Sequence, residues 1–202
     1  MAYKIDNYGF LILAAGQSKR LGSSKQLLLY EGQTLINRLI SIVRKASSNP
    51  ITVVIGANAE SIKAAIIDKE VEIVVNNNWE EGMASSLRVG LEKAIASNGS
   101  LDGMMIMVCD QPFINEESIQ SLLGLQKETN LPMAACYYSN SIGTPALFHK
   151  SVFPELLTLK GDTGAKMIIK KRENEVAKLY FEKGVVDIDT LEDYNNLISG
   201  SL

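Results

Sequence analysis

Short apolar runs rich in β-branched residues recur along this chain with helix-length amphipathic segments between them, and few folds accommodate that alternation. Residues 10–14 and 51–55 read as buried strands, and 71–75 and 103–109 repeat the signal. Between them, 34–46 places Leu35, Ile36, Leu39, Ile42 and Val43 at helical spacing, and 83–97 places Leu87, Leu91 and Ile95 on one side. Asn58 stands where a cap would open a helix reaching 68. Asn115, followed by Glu116 and Glu117, opens one through 127. Further on, 133–138, 145–148, 176–181 and 185–188 read as strands, and 161–172 and 191–198 as helices. Strands separated by helix-length segments predict an α/β fold of three layers, a mostly parallel twisted sheet with helices on both faces. The whole length, 1–202, reads as one domain.

Ligands of such sheets sit at the carboxyl ends of the strands. Three unusual segments fall there: the loop 13–25 (LAAGQSKRLGSSK), Cys109-Asp110-Gln111-Pro112, and the region after Val75. The loop sets two glycines, three serines and three cationic side chains between apolar runs. It has neither the G-x-x-x-x-G-K-[ST] nor the G-x-G-x-x-G spacing. It does hold what an anion site needs: small residues at Ala14, Ala15 and Gly16 that let backbone N–H groups face a ligand, Arg20 to fork onto phosphate oxygens, and Lys25 as a point charge. A mobile solvated loop is the plainer alternative.

With 46% apolar residues the chain can build a substantial core. A net charge of −3 and no basic stripe argue against a nucleic-acid partner. No apolar run approaches the roughly 20 residues of a membrane span, and no signal-peptide core opens the chain, so a cytoplasmic protein is expected. Cys109 and Cys136 lie in apolar runs and read as buried thiols rather than a disulfide. His149, the single histidine, reads as a surface residue, and Trp79 as a packing residue.

The string L-A-A-G-x-S-x-R-[LM]-G-x-x-K resembles the signature of the MobA/MocA-like nucleotidyltransferases, nearest to the molybdenum cofactor cytidylyltransferases. The resemblance extends through WEEGMASSLRVGL at 79–91, CDQP at 109–112, GTPALF at 143–148, GDTGAK at 161–166 and DIDT at 187–190. It implies the Rossmann-like nucleotidyltransferase fold and transfer of CMP from CTP to a phosphorylated acceptor, with release of pyrophosphate. It implies Leu13, Ala14, Ala15, Gly16, Ser18, Arg20, Lys25, Gly82, Ser86 and Asp110 around the nucleotide, with Arg20, Lys25 and Asp110 catalytic. It implies Mg²⁺ on Asp110 and Asp189, and Gln111, Gly143, Thr144, Pro145, Asp162, Thr163 and Lys166 around the acceptor. On that reading the acceptor is a molybdopterin cofactor, and a molybdoenzyme or its chaperone is a possible partner. Asp187 and Asp189, at strand spacing, are expected on one side. Ser85 and Ser86 are alternatively helix caps, Asp162 a cap of its own helix, and Asp189 a cap of the last helix. Ala15, where GTP-using relatives carry glycine, favours CTP. Transfer to a sugar or polyol phosphate, and a non-catalytic cofactor carrier, remain alternatives.

Overall fold

The computed structural model describes residues 3–201. The first half winds a parallel sheet. β1 (Tyr8–Ala14) pairs with β4 (Ile51–Ile55) on one side and β6 (Gly103–Val108) on the other, and β4 pairs with β5 (Glu72–Val75). The crossovers are α1 (Leu35–Ala46), α2 (Ala59–Ala65) and α3 (Met83–Ser97), with a two-stranded hairpin of β2 (Leu29–Tyr30) and β3 (Gln33–Thr34) before α1. After α4 (Glu116–Thr129) come β7 (Met133–Tyr138) and β8 (Ser141–His149), then α5 (Phe153–Leu157), α6 (Lys166–Lys171), β9 (Val176–Tyr180) and α7 (Leu191–Ser199). The seven-stranded order is β5-β4-β1-β6-β8-β7-β9. Among the described residues of this sheet only β8 runs antiparallel, between β6 and β7.

Alternation along the strands builds two cores. Phe10, Ile12 and Ala14 face one way, against Ile36, Leu39, Ile40 and Val43 of α1, Ile62 of α2, and Ile119 and Leu122 of α4. Leu11 and Leu13 face the other way, against Leu87 and Leu91 of α3, Phe153 and Leu156 of α5, and Ile168 and Ile169 of α6. Period 2 in a strand and period 3.6 in a helix thus produce the three layers. A third, small cluster of Leu35, Ile188 and Leu197 lies apart from both, flanked by Leu21, Leu28, Tyr30, Phe113 and Tyr194.

Several expected boundaries move. Helix 34–46 begins at Leu35, because Thr34 caps it by accepting from the Asn37 N–H. Asn115 caps α4 in a box with Ser118. Asn58 precedes α2 in the left-handed conformation and makes no side-chain cap, and that helix stops at Ala65 rather than reaching 68. The span 161–172 is helical only over Lys166–Lys171. Residues 185–188 form no strand: a short 3-10 turn, Glu182–Val185, is followed by chain that meets the turn after β6 through Ile188 N–H on the Asp110 carbonyl (2.9 Å). His149 is buried, not on the surface, with its Nδ1 accepting from the Ser151 N–H at 3.1 Å. Cys109 and Cys136 are free and buried, and burial pushes both thiols up to about 12. No helix among the described residues is long and apolar enough to cross a membrane.

Candidate active site

β1 ends at Ala14, at the carboxyl edge of the sheet, and the loop that follows bounds a cavity of ≈ 750 Å³. Leu13 to Lys19, Lys25, Gln26, Trp79, Gly82, Ser86, Asp110 and Asp162 are among its walls. The loop is tied internally: Ser18, at φ 57, accepts from the Lys25 N–H through Oγ (3.1 Å) and from the Leu21 N–H through its carbonyl (3.0 Å).

Lys25 is the electrostatic centre. Its Nζ donates to Asp110 Oδ2 at 2.6 Å and Asp189 Oδ1 at 2.9 Å, and its side chain is only 16% exposed. Burial disfavours the ammonium, but the two carboxylates outweigh it and the lysine pKa is raised. Asp189 is likewise held charged against partial burial, by Lys25 and by Arg20, whose Nη2 lies 2.7 Å from Asp189 Oδ2, and its pKa is lowered. The other Asp110 oxygen, Oδ1, is buried without a partner. An orphaned oxygen on one of two carboxylates already gripping a cation suits a hard divalent ion. Mg²⁺ needs only one or two carboxylates beside phosphates and water. Among the described residues no ready cluster of three His, Cys, Asp or Glu side chains exists.

The start of α3 forms the opposite wall. Gly82 sits at φ 105, and a Cβ there would lie 2.6 Å from the backbone of Gly161 and Asp162. That close approach lets 161–162 satisfy the open end of the helix: Gly161 O accepts from the Ala84 N–H (3.1 Å), and Asp162 Oδ1 from the Met83 N–H (3.4 Å). Asp162 therefore caps α3, not its own helix, as an acid suits a helix N-terminus. Buried Asn76 donates to the hydroxyls of Ser85 (2.8 Å) and Ser86 (2.9 Å). Ser85 turns back to the carbonyls of Asn78 and Gly82, and Ser86 lines the cavity.

A second cavity, ≈ 230 Å³, shares the wall made by Leu13, Met83, Val108 and Asp110. Its far side carries Gln111, Tyr138, Gly143, Thr144, Lys166 and Asp187. Gln111 is fixed from both ends, accepting from Thr144 Oγ1 at 3.0 Å and donating to Gly184 O at 2.8 Å. Burial, then the charges of Asp110 and Asp189, push Asp187 up to about 6.

Residues 10–176 match the family model described as the MobA-like NTP transferase domain. The chain belongs to that family. Over its length this MobA-like NTP transferase is 28% identical to nicotine blue oxidoreductase of Paenarthrobacter nicotinovorans (93% of this chain, 95% of that one). It is 27% identical to the purine catabolism protein PucB of Bacillus subtilis strain 168 (92% and 93%). Its fold superposes on the crystal structure of Rv0371c from Mycobacterium tuberculosis H37Rv with a TM-score of 0.85 at 29% identity, covering 97% of this chain and 99% of that one. A structure of the Mycobacterium protein in complex with manganese is also similar (TM-score 0.80, 26% identity, covering 96% and 98%).

Within this MobA-like domain the predicted residues sort unevenly. Leu13, Ala14, Ala15, Gly16, Ser18, Lys25, Gly82, Ser86 and Asp110 surround the first cavity, and Gln111, Gly143, Thr144 and Lys166 the second. Asp162 belongs to the first cavity, while Pro145, in β8, and Thr163 line neither. Thr163 instead donates to Lys160 O. Arg20 is exposed and reaches the site only through Asp189. Asp189 does not cap α7; Thr190 does, in a box with Asp193, whose carboxylate also accepts from the Asp189 N–H at 3.1 Å. Trp79, read as packing, packs on the second core and also lines the first cavity. Sequence reasoning passed over Gln26, Asn76 and Tyr138. A glutamine beside the signature lysine was the one visible signal for Gln26.

Proposed function

We propose that this NTP transferase moves CMP from CTP to a phosphorylated acceptor of the molybdopterin class, releasing pyrophosphate. The observation that carries the reading is Asp110 on the wall common to two cavities, with Lys25 held against it at 2.6 Å. One cavity is bounded by a small-residue loop suited to a triphosphate and base, and the other by Gln111, Gly143, Thr144 and Lys166, suited to an anionic acceptor. In the reaction an acceptor phosphate oxygen bonds to the α-phosphorus, and the bond to the β-phosphate oxygen breaks. Both reactants are anions, so placement and charge neutralisation carry most of the rate.

Lys25 and Arg20 serve the triphosphate and the departing pyrophosphate, and Lys166 draws the acceptor. Ser86, oriented by Asn76, and the loop edge at Ala15 meet the base. Asp110 and Asp189 would hold Mg²⁺, which would neutralise charge as it develops at the reacting phosphate. Ala15 supports a pyrimidine, because its methyl narrows the loop where glycine would leave room for a purine. The names of the relatives span different chemistries and do not supply the acceptor.

The test is pyrophosphate release from a panel of CTP, GTP, ATP and UTP with molybdopterin cofactor or sugar phosphates, in the parent and in Ala15→Gly. CTP with the molybdopterin acceptor should give the highest kcat/KM, and Ala15→Gly should narrow the gap to GTP. Equal or better use of GTP by the parent would refute the cytidylyl assignment. Turnover only with a sugar phosphate would refute the acceptor.

A further inference from the structure

Gln26 sits in the one-turn 3-10 helix Lys25–Leu27 just past the loop and is 1% exposed. Its Nε2 donates to Ala14 O at 2.9 Å and Gly16 O at 3.0 Å. Both targets are acceptors, so the amide nitrogen must face them and the orientation of the group is fixed. Its Oε1 is left buried with no partner. Packing alone does not explain this choice. Methionine would fill the same space without stranding an oxygen, and buried polar groups are rarely left unpaired.

The gain lies in the loop. A trans peptide is planar, with its C=O and the next N–H on opposite sides. Drawing the Ala14 and Gly16 carbonyls onto Gln26 turns the N–H groups of Ala15 and Gln17 away from it. The intervening carbonyl, Ala15 O, is held separately by the Ala57 N–H at 3.0 Å. Three successive carbonyls are thereby taken up by the protein. Among the described residues the N–H groups of Ala15, Gly16 and Gln17 find no protein acceptor, and all three residues line the cavity; Gln26 turns the first and third, Ala57 the second. Left free, those carbonyl oxygens would rotate toward a polyanion and repel it.

We propose that Gln26 is the positioning residue of the nucleotide site: it holds the carbonyls of Ala14 and Gly16 back so that the loop presents donors to a nucleoside triphosphate. The inference rests on the NTP reading above. It assigns Gln26 no contact with the ligand, and its effect passes through the loop backbone.

Trp79 is the single tryptophan and lines the same cavity, so its fluorescence should respond to nucleotide binding. Parent, Gln26→Met and Gln26→Glu are titrated with CTP and Mg²⁺, and their melting temperatures and kinetics compared. The methionine keeps the volume and removes the donor; the glutamate sets a third acceptor against the two carbonyls. Losing a hydrogen bond to a charged ligand group weakens binding about 10- to 100-fold, so dissociation constants and KM for CTP should rise about that much, more for the glutamate. KM for the acceptor should stay within about twofold. In parent protein labelled with ¹⁵N, the Ala15 and Gln17 amide signals should shift on adding CTP, a readout that needs no variant to fold. Saturable CTP binding by the parent that Gln26→Met matches would overturn the clamp alone, as would unmoved Ala15 and Gln17 signals at saturation. No saturation of the parent by any NTP would overturn the nucleotide reading and the clamp with it.

Discussion

Replacing Lys25 with methionine separates what its ammonium does for the fold from what it does for the reaction. Among the described residues Lys25 is the sole partner of the Asp110 carboxylate, whose side chain is 20% exposed and whose Oδ1 is already unpaired. Removing one partner of a fully buried pair costs about 3–5 kcal/mol. Solvent still reaches both side chains, which brings the expectation to about 2–3 kcal/mol. In a domain of this size that lowers the melting temperature by about 4–12 °C. The difference from the parent should close in strong acid, where the carboxylates protonate and the ion pair is lost in both proteins. Adding Asp110→Asn should restore most of the stability, because the stranded charge is gone. It should not restore transfer, expected to fall about 10²- to 10³-fold in the single variant. Calorimetry on the two single variants and the double, with pyrophosphate release on each, decides the matter. A Lys25→Met protein that melts with the parent would refute the buried-pair argument, and one that turns over at the parent rate would refute the catalytic role.

Asp187, whose folded pKa near 6 lies above the ordinary 3.8, binds its proton more tightly in the folded state, so its ionisation destabilises the fold as pH rises from about 4 to 6. Asp187→Asn should therefore be more stable than the parent at pH 8 and equal to it at pH 4 in urea titrations, by a margin softened by solvent at the cavity mouth. Gly82→Ala should cost about 2 kcal/mol or more, since φ 105 is strained for alanine and its methyl would collide with Gly161 and Asp162; a denaturation midpoint equal to the parent's would contradict that contact. Asn76→Ala leaves two buried hydroxyls short of a donor and should cost about 1–3 kcal/mol, with a raised KM for CTP. Chelation of divalent ions should abolish transfer, and Mg²⁺ or Mn²⁺ should restore it; turnover that persists in chelator would remove Asp110 and Asp189 from the metal assignment.

The strands of the first half were legible because residues such as Ile51-Thr52-Val53-Val54-Ile55 are β-branched on both faces and bury on both. The apolar run 145–148 announced a strand but not its direction, and residues 141–144 carry no alternation, so the antiparallel entry of β8 could not be read. The span 161–172 looked like one helix, yet Gly161 and Asp162 are drawn out of it by the open end of α3, a tertiary demand absent from local spacing. Asp187 and Asp189 were expected to share a strand face. They reach the Asp110 region without any strand, through one backbone hydrogen bond at Ile188 and the cap at Thr190. The site's charged residues were visible as motifs, whereas Gln26 acts through backbone carbonyls, which no side-chain pattern records.

The small third cluster has a dynamic consequence. It joins Leu21 of the signature loop, Leu28 and Tyr30 after it, and Ile188, Tyr194 and Leu197 around the tail, and Tyr194 Oη donates to Leu29 O at 2.8 Å. Leu197 is the only residue of α7 that is fully buried, so this helix rests on a few contacts outside the two large cores. Regions held so lightly open at free energies below that of global unfolding. The loop that carries Arg20 and the segment that carries Asp189 should therefore open as one cooperative unit. Their amides should exchange hydrogen together, sooner than those of β1, β4 and β6, and should slow together when a ligand bridges them.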